Sequence, residues 1–445
     1  MKFRGLLVAA ALLAVLGGLL WWSNKKQASV DSTKAADASA PKMLAIPEDQ
    51  IREVRLKKTG AETTVLKKGD DGKWQIVEPK PLRADQESVN SMVSALASLN
   101  ADKLVEEKAA DLAAYGLKTP GMDVTVVKKD GKTEDVYIGD ETPTGSGSYA
   151  KVASDPRVFT IASYTKSNLD KSSNDLRDKR LLTFDSEKLT RLDVQAKGQD
   201  VEFGKNAQND WAILKPRTLR ADGAQVEELI RKLKDAKMDT AASPDDAKKA
   251  ATGFASGARI ALVTISDPGG NQQLEVRKDK DKNYYAKSSV VEGVYKVGSD
   301  LGDGLDKKLD DFRNKKLFDF GWSDPTKVEV RTPANSVAYA KSGDKWMAGA
   351  KQMDSGSVQN LIDKLRDLSA ARFLDAGGGG AFTFEAAVTS NDGKRVEKVA
   401  VTRNGDKYYA KREGEPSIYE LDAKAAEDLQ KAAGEVKDYQ PPKKK

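Results

Sequence analysis

Gly69-Asp70-Asp71-Gly72-Lys73-Trp74, Ala207-Gln208-Asn209-Asp210-Trp211 and Ser342-Gly343-Asp344-Lys345-Trp346 are three versions of one polar turn that runs into a tryptophan. The tryptophans recur at nearly equal intervals along the chain. Tyr149-Ala150-Lys151, Tyr285-Ala286-Lys287 and Tyr409-Ala410-Lys411 recur at almost the same spacing, a little shorter on the second step. Val158-Phe159, Val294-Tyr295 and Ile418-Tyr419 keep step with them. Asp175-Leu176-Arg177-Asp178 returns as Asp311-Phe312-Arg313-Asn314 and again as Glu435-Val436-Lys437-Asp438. Several landmarks at one period mean a tandem triplication. The period is far above the roughly 20–50 residues of solenoid repeats, so each repeat is long enough to own a core.

Each repeat carries the same helix signal. Val89, Met92, Val93, Leu96 and Leu99 follow Asp85; Val226, Leu229, Ile230 and Leu233 follow Asp222; Val358, Leu361, Ile362, Leu365 and Leu368 follow Asp354. These are the i, i+3, i+4, i+7 stripes of amphipathic helices. Each aspartate stands where a first turn wants an acceptor, so capping explains the trio better than a repeated catalytic acid. Hairpin-linked strands are expected before each helix (51–57, 63–68, 73–77 in the first repeat) and after it (123–128, 133–138, 148–152, 158–161), with a polar helix over about 163–179. The run Gly377–Gly380 reads as a flexible joint in a shortened third repeat. The fold class is therefore α+β: an N-terminal transmembrane helix followed by three tandem repeats of a mainly antiparallel sheet with an amphipathic helix.

The chain has 445 residues, 74 Lys+Arg against 68 Asp+Glu, no histidine and no cysteine. Thiol catalysis, disulfides, Cys-ligated metals and the Ser-His-Asp arrangement are excluded. What chemistry remains is carboxylate, Lys, Tyr or Ser–Lys, and the composition tilts against an enzyme. Both charge signs are interleaved, as in Lys57, Lys58, Glu62, Lys67, Lys68, Asp70, Asp71, so no basic surface for nucleic acid is indicated.

Lys2 and Arg4 precede the uncharged run Gly5–Trp22, which is closed by Trp21 and Trp22 and followed by Lys25 and Lys26. At about 1.5 Å per residue such a helix spans about 27 Å, close to the roughly 30 Å hydrocarbon core. A cleaved leader would have a shorter apolar core and small residues where Trp and Lys stand, so an uncleaved anchor in the lipid bilayer is expected. The positive-inside bias is slight and favours a cytoplasmic N-terminus, which places the C-terminal region in the periplasm or otherwise outside the cytoplasm. Ala10, Ala14 and Gly18 recur every fourth position and are the candidate packing face for another transmembrane helix, although anchors are rich in small residues anyway.

No nucleotide or calcium motif is present: Gly145-Ser146-Gly147-Ser148 lacks the Gly-Lys-Ser/Thr ending, and no cofactor or metal is expected. The most individual segment is Gly139–Tyr149, which the other repeats replace with short charged turns. Asp140, Thr142, Pro143, Thr144, Gly145, Gly147 and Tyr149 form a candidate interaction loop, the alternative being a longer hairpin connection. The pairs Tyr284-Tyr285 and Tyr408-Tyr409 suggest glycan stacking, but strand neighbours face opposite sides, so one of each pair belongs in the core.

Gly69–Trp74, Ala84-Asp85 with the helix that follows, Asp111-Leu112-Ala113-Ala114-Tyr115-Gly116-Leu117-Lys118-Thr119-Pro120, Gly139-Asp140-Glu141-Thr142-Pro143-Thr144-Gly145 and Leu176-Arg177-Asp178-Lys179-Arg180 together resemble the bacterial family called domain of unknown function 4340. The resemblance is best over residues 45–185. It implies one N-terminal membrane span, an extracytoplasmic repeat region and association with ABC-type exporters of the gliding-motility-auxiliary kind. The family assigns no catalytic residues, so none is carried over.

The expected organisation is an anchor (1–22), a linker (23–44), repeats at 45–182, 183–318 and 319–440, and a basic tail (441–445). The expected function is a non-enzymatic, single-pass accessory or scaffold of the inner membrane, auxiliary to an ABC-type transporter subunit. The alternatives are a module that binds an envelope glycan and, last, a carboxylate-dependent hydrolase.

Overall fold

The computed structural model describes residues 41–239, 244–322 and 325–441. The expected span 5–22, with Ala10, Ala14 and Gly18, lies outside them. Among the described residues no helix is long and apolar enough to cross a membrane. The chain divides into two units, Met1–Lys179 with one sheet and Arg180–Lys445 with two.

In the first unit the elements run β1 (Ile51–Lys58), β2 (Thr64–Lys68), β3 (Trp74–Glu78), β4 (Leu82–Arg83), α1 (Gln86–Ala97), β5 (Lys103–Glu106), β6 (Met122–Lys128), β7 (Thr133–Glu141), β8 (Gly147–Val152), β9 (Val158–Ala162), α2 (Ser163–Leu169) and α3 (Ser173–Leu176). The sheet order is β4-β3-β2-β1-β6-β7-β8-β9-β5, antiparallel throughout. The polar helix expected over 163–179 is broken. Its first piece ends at Asp170, and Ser172 and Asp175 cap a separate short turn reciprocally.

The first sheet of the second unit comprises β10 (Arg191–Ala196), β11 (Gln199–Lys205), β12 (Trp211–Lys215), β13 (Leu219–Arg220), α4 (Gly223–Lys234), α5 (Pro244–Ser256), β14 (Ala258–Asp267), β15 (Gly270–Lys278), β16 (Tyr284–Ser288), β17 (Val294–Val297) and α6 (Ser299–Leu305). The second comprises β18 (Lys327–Arg331), β19 (Ser336–Ser342), β20 (Lys345–Ala348), β21 (Lys351–Gln352), α7 (Ser355–Asp367), β22 (Ala370–Leu374), β23 (Ala381–Ser390), β24 (Arg395–Asn404), β25 (Lys407–Arg412), β26 (Ile418–Leu421) and α8 (Ala423–Gly434). Their orders, β13-β12-β11-β10-β14-β15-β16-β17 and β21-β20-β19-β18-β23-β24-β25-β26-β22, follow the same plan.

Each sheet with its helices, here a module, is itself double. Four strands and a helix are followed by four more strands and a helix, with an extra edge strand, β5 or β22, between the halves of the first and third, and the first strands of the two four-strand sets pair antiparallel at the centre: β1 with β6, β10 with β14, β18 with β23. Both helices then fall on one face and pack together over a common core. The halves share a detail that the threefold spacing hides. Gly343-Asp344-Lys345-Trp346 opens the third strand of one half, and Gly405-Asp406-Lys407-Tyr408 opens that of the other. In both kinds of half this aromatic tethers the helix of its own half. Trp74 Nε1 donates to Asn90 (3.1 Å), Trp211 Nε1 to Glu227, Tyr284 OH to Asp303 (2.5 Å) and Tyr408 OH to Glu427 (3.4 Å).

Asp85, Asp222 and Asp354 do cap their helices, accepting from the backbone N–H of Ser88, Gln225 and Ser357, and Asp422 caps α8 in the same way. The buried stripe of α4, Val226, Leu229, Ile230 and Leu233, faces the sheet. Each such side chain contributes about 1.5–3 kcal/mol, an upper estimate since unfolded chains are partly compact. Each module closes on itself where Asp85, Asp222 and Asp354 donate their N–H to the carbonyls of Leu176, Phe312 and Lys437, each at 2.8 Å. Lys437, not Val436, therefore occupies the place of Leu176, and the third repeat is shifted by a single position from the sequence match. Asp222→Ala is expected to lower the stability of the second unit by about 1 kcal/mol in urea unfolding, with the m-value unchanged.

Candidate functional site

Tyr149, Tyr285 and Tyr409 point away from the helix-covered face, and each module covers its own tyrosine differently. In the first, the 3₁₀ turn Leu112–Tyr115, capped by Asp111, sets the Tyr115 ring edge-on to Tyr149 with centroids 4.9 Å apart. In the second, helix α5 lies there, and a side chain at Gly253 would collide with the Tyr285 ring. This helix is absent from the sequence expectation, although Pro244-Asp245-Asp246 is a helix-start signal. In the third, Gly378 meets the Tyr409 side chain and Gly380 abuts the Arg403 backbone, so the glycine run serves close approach as well as turning. Tyr284, Tyr285 and Tyr408 are all buried, so these rings are occupied by the protein itself.

The segment Gly139–Tyr149 is the end of β7, a turn, and the start of β8. Its base is held without slack. A Cβ on Gly139 would strike the Tyr115 carbonyl, one on Gly116 would strike Asp140, and one on Gly147 would strike the Ile161 carbonyl. The Tyr-Gly-Leu and Gly-Asp-Glu-Thr-Pro stretches thus occur together because their backbones touch. Tyr115 OH donates to Glu106 at 2.9 Å, tying the 3₁₀ turn to β5. At the tip, the Gly145 N–H donates to the Thr142 carbonyl and the Thr142 N–H to the Gly147 carbonyl, both at 2.8 Å. The hydroxyls of Thr142, Thr144 and Ser146 form an exposed chain at 3.3 and 2.9 Å. Ser163 ties α2 to the tip, and Tyr164 beside it is 74% exposed. Of the candidate residues, Asp140, Pro143, Thr144 and Gly145 are exposed, Thr142 and Tyr149 half-buried, and Gly147 buried. The arrangement is a rigid base carrying a polar, hydroxyl-rich tip. It holds no nucleophile with a base beside it.

A second feature lies within the second unit. A cleft of about 1170 Å³ runs between the turn Asn206–Asp210 and the turn Asn391–Lys394. Carboxamides and charges line it: Asn206, Gln208 and Asn209 on one wall, Asn391, Lys394 and Arg395 on the other. At its floor Arg220 pairs with Glu415 (2.7 Å) and Asp319 (3.8 Å), and Arg412 joins Glu415 (2.7 Å) to the buried Glu397 (3.0 Å). Trp211, Leu219 and Val396 add apolar surface, so the lining mixes hydrogen-bonding groups with flat apolar patches.

Among the described residues no cluster of three acidic side chains is placed to hold a metal ion. The most perturbed carboxyl is Asp193 on β10, pushed up to about 6 by burial and by the neighbouring Asp200. Lys215 and Arg191 turn to Glu202, at 2.7 and 3.0 Å, and Lys215 offsets the rise of Asp193 only in part. Asp123 on β6 is also raised, by burial and by Asp135. Both belong to sheet surfaces outside the cleft and the loop.

What the fold defines is a tandem series of modules, each an antiparallel sheet with helices packed on one face. The chain belongs to the family whose model is described as Domain of unknown function (DUF4340), matched over residues 74–252 and again over 211–388. Both matches begin at the tryptophan of a third strand, so each runs from the middle of one module into the next. No curated protein and no solved structure matches the chain.

Gly139→Ala should force residues 115–116 off β7. We expect a loss of about 1–3 kcal/mol and faster proteolysis between Asp111 and Pro120, with Gly145→Ala at the open tip costing less. Between the ordinary carboxyl value of 3.8 and about 6, folded Asp193 holds a proton that the unfolded chain has released, so its contribution to stability falls as pH rises through that window. Asp193→Asn should remove this slope and raise the unfolding free energy at pH 7, read from urea unfolding, by no more than about 1 kcal/mol after solvent screening. An unchanged slope would assign the proton to another group.

Proposed function

We propose that this chain is a non-enzymatic accessory or scaffold protein of the cell envelope, anchored in the inner membrane by residues 5–22, with its modules outside the cytoplasm and an ABC-type transporter subunit as partner. The observation that carries the reading is the order of parts: a long uncharged run between positive flanks, then three modules. The transporter comes from the family resemblance. The loop 139–149, with its braced base and exposed Thr144 and Tyr164, is the surface assigned to that partner. Rigid backbone beneath adaptable hydroxyls and an exposed tyrosine is the composition that recognition loops use.

A second reading is supported by the cleft. Its carboxamide and charged lining favours a glycan strand of the envelope as ligand, held by planar side chains that bridge neighbouring hydroxyls. On this reading Tyr284, Tyr285 and Tyr408 have no direct part, since their rings are buried.

A photocrosslinker at Thr144 in growing cells is expected to capture a transporter membrane subunit, and one at the exposed Asp70, in the β2–β3 turn at the opposite end of the sheet, is expected not to. External protease is expected to digest the modules in intact spheroplasts. Protection until lysis would refute the exported arm, and capture from both positions alike would refute the loop as contact. Sedimentation with purified cell wall, lost in Asn391→Ala/Lys394→Ala, would favour the glycan reading instead.

A further inference from the structure

Within the second unit, arginines of one module enter the next. Arg313, whose side chain is 4% exposed, lies 3.6 Å from the Phe373 ring centroid and donates to Ser417 Oγ at 2.8 Å. Arg217 pairs with Asp375, and Arg220 with Glu415. The receiving surface is thus an aromatic on edge strand β22 and the turn Glu415-Pro416-Ser417 before β26.

The first module has the same surface. Leu104 of β5 pairs with Phe159 as Phe373 of β22 pairs with Tyr419. Phe159 pairs with Ala150 as Tyr419 pairs with Ala410, and the intervening turns are equal in length. Asp155-Pro156-Arg157 therefore stands where Glu415-Pro416-Ser417 does. Leu104 replaces Phe373 and Asp155 replaces Glu415, and the change that bears on an incoming arginine is Arg157 in place of the acceptor Ser417. Arg157 forks onto Asp155 at 2.6 and 3.0 Å, and its guanidinium lies 5.0 Å from the Phe159 ring centroid. In the last module Glu415 carries Arg412 of its own module beside the incoming Arg220, and Ser417 accepts from the incoming Arg313; Arg157 sets a guanidinium where that acceptor would be. Leu104 and Val105, at 40% and 39% exposure, remain uncovered around it.

The giving end changes as well. Arg220 pairs with Ala212, the residue after Trp211; its counterpart in the last module, paired with Met347, is Gln352. Arg313 bridges Ala221; its counterpart, bridging Met353, is Asp438. The last module therefore offers an amide and a carboxylate where the one before it offers two guanidiniums.

We propose that the surface around Leu104 and Asp155 is a module-receiving surface, that its partner is the arginine-bearing end of another module of this kind, and that Arg157 holds it closed in cis. A module end without arginine, such as the last one here, cannot displace the plug, so wild-type chains do not join head to tail. The inference does not depend on the transporter reading.

The test uses the full chain in detergent, followed by sedimentation velocity over a range of concentrations. Wild type, Arg157→Ser alone and Gln352→Arg/Asp438→Arg alone are expected to stay monomeric. The triple variant, with an open surface and an arginine-bearing end, is expected to self-associate, less so at high salt. A monomeric triple variant with wild-type thermal unfolding would overturn the receiving surface. Association of Gln352→Arg/Asp438→Arg alone would overturn closure by Arg157, and association of Arg157→Ser alone would overturn the need for an arginine-bearing partner. Arg157→Gln, which keeps the stem and loses the charge, replaces the serine variant if that variant unfolds early.

Discussion

Antiparallel pairing of Val54 with Val126, Val194 with Val263 and Val328 with Val388 places two buried β-branched side chains opposite each other at the centre of every sheet. Because the two strands run in opposite directions, each half of a module is turned about the seam and its helix lands on the same face as the other. That face becomes a shared core, and neither half would bury its helix stripe as fully alone. Strand number, helix placement and the closing contact between Asp222 and Phe312 all follow from that seam. A slip of a single position there would turn every valine in it to the other face.

The opposite face of each sheet has no such constraint, and the modules diverge there. One tyrosine position is roofed by a 3₁₀ turn, a helix or a glycine run, and in each case a glycine permits the close approach. Segments that only have to cover a ring are free to acquire surface features, which is how the braced loop at 139–149 and helix α5 arise on a common plan. The edges differ for the same reason: Arg157, Gly293 and Ser417 occupy one turn position in three modules and give it three chemistries.

The two modules of the second unit meet through charged side chains, Arg217, Arg220 and Arg313 crossing to Asp375, Glu415, Asp319 and Ser417. Arg220, Arg412 and Arg395 alternate with Asp319, Glu415 and Glu397, and Arg313 is desolvated against Phe373. Buried ion pairs of this kind specify which surfaces meet rather than supplying much net stability, because desolvation offsets their attraction.

The threefold period, the helix stripes, the capping aspartates and the antiparallel hairpins were legible from residues alone. Each is a local pattern: the helical or the strand periodicity of side chains, or a turn residue at a set place. Helix α5 carries a local signal too, in Pro244-Asp245-Asp246. The break at Asp170 and the shift at Lys437 were not legible, because polar stretches carry no period and their ends are set by which carbonyl they meet. Tyr115 and Gly139 lie on different elements, and nothing local announces that their backbones touch. The twofold plan inside each module, and an arginine standing where another module has the acceptor serine, rest on pairings between distant strands. Such pairings depend on which buried side chains meet across the sheet, and only the assembled chain decides that.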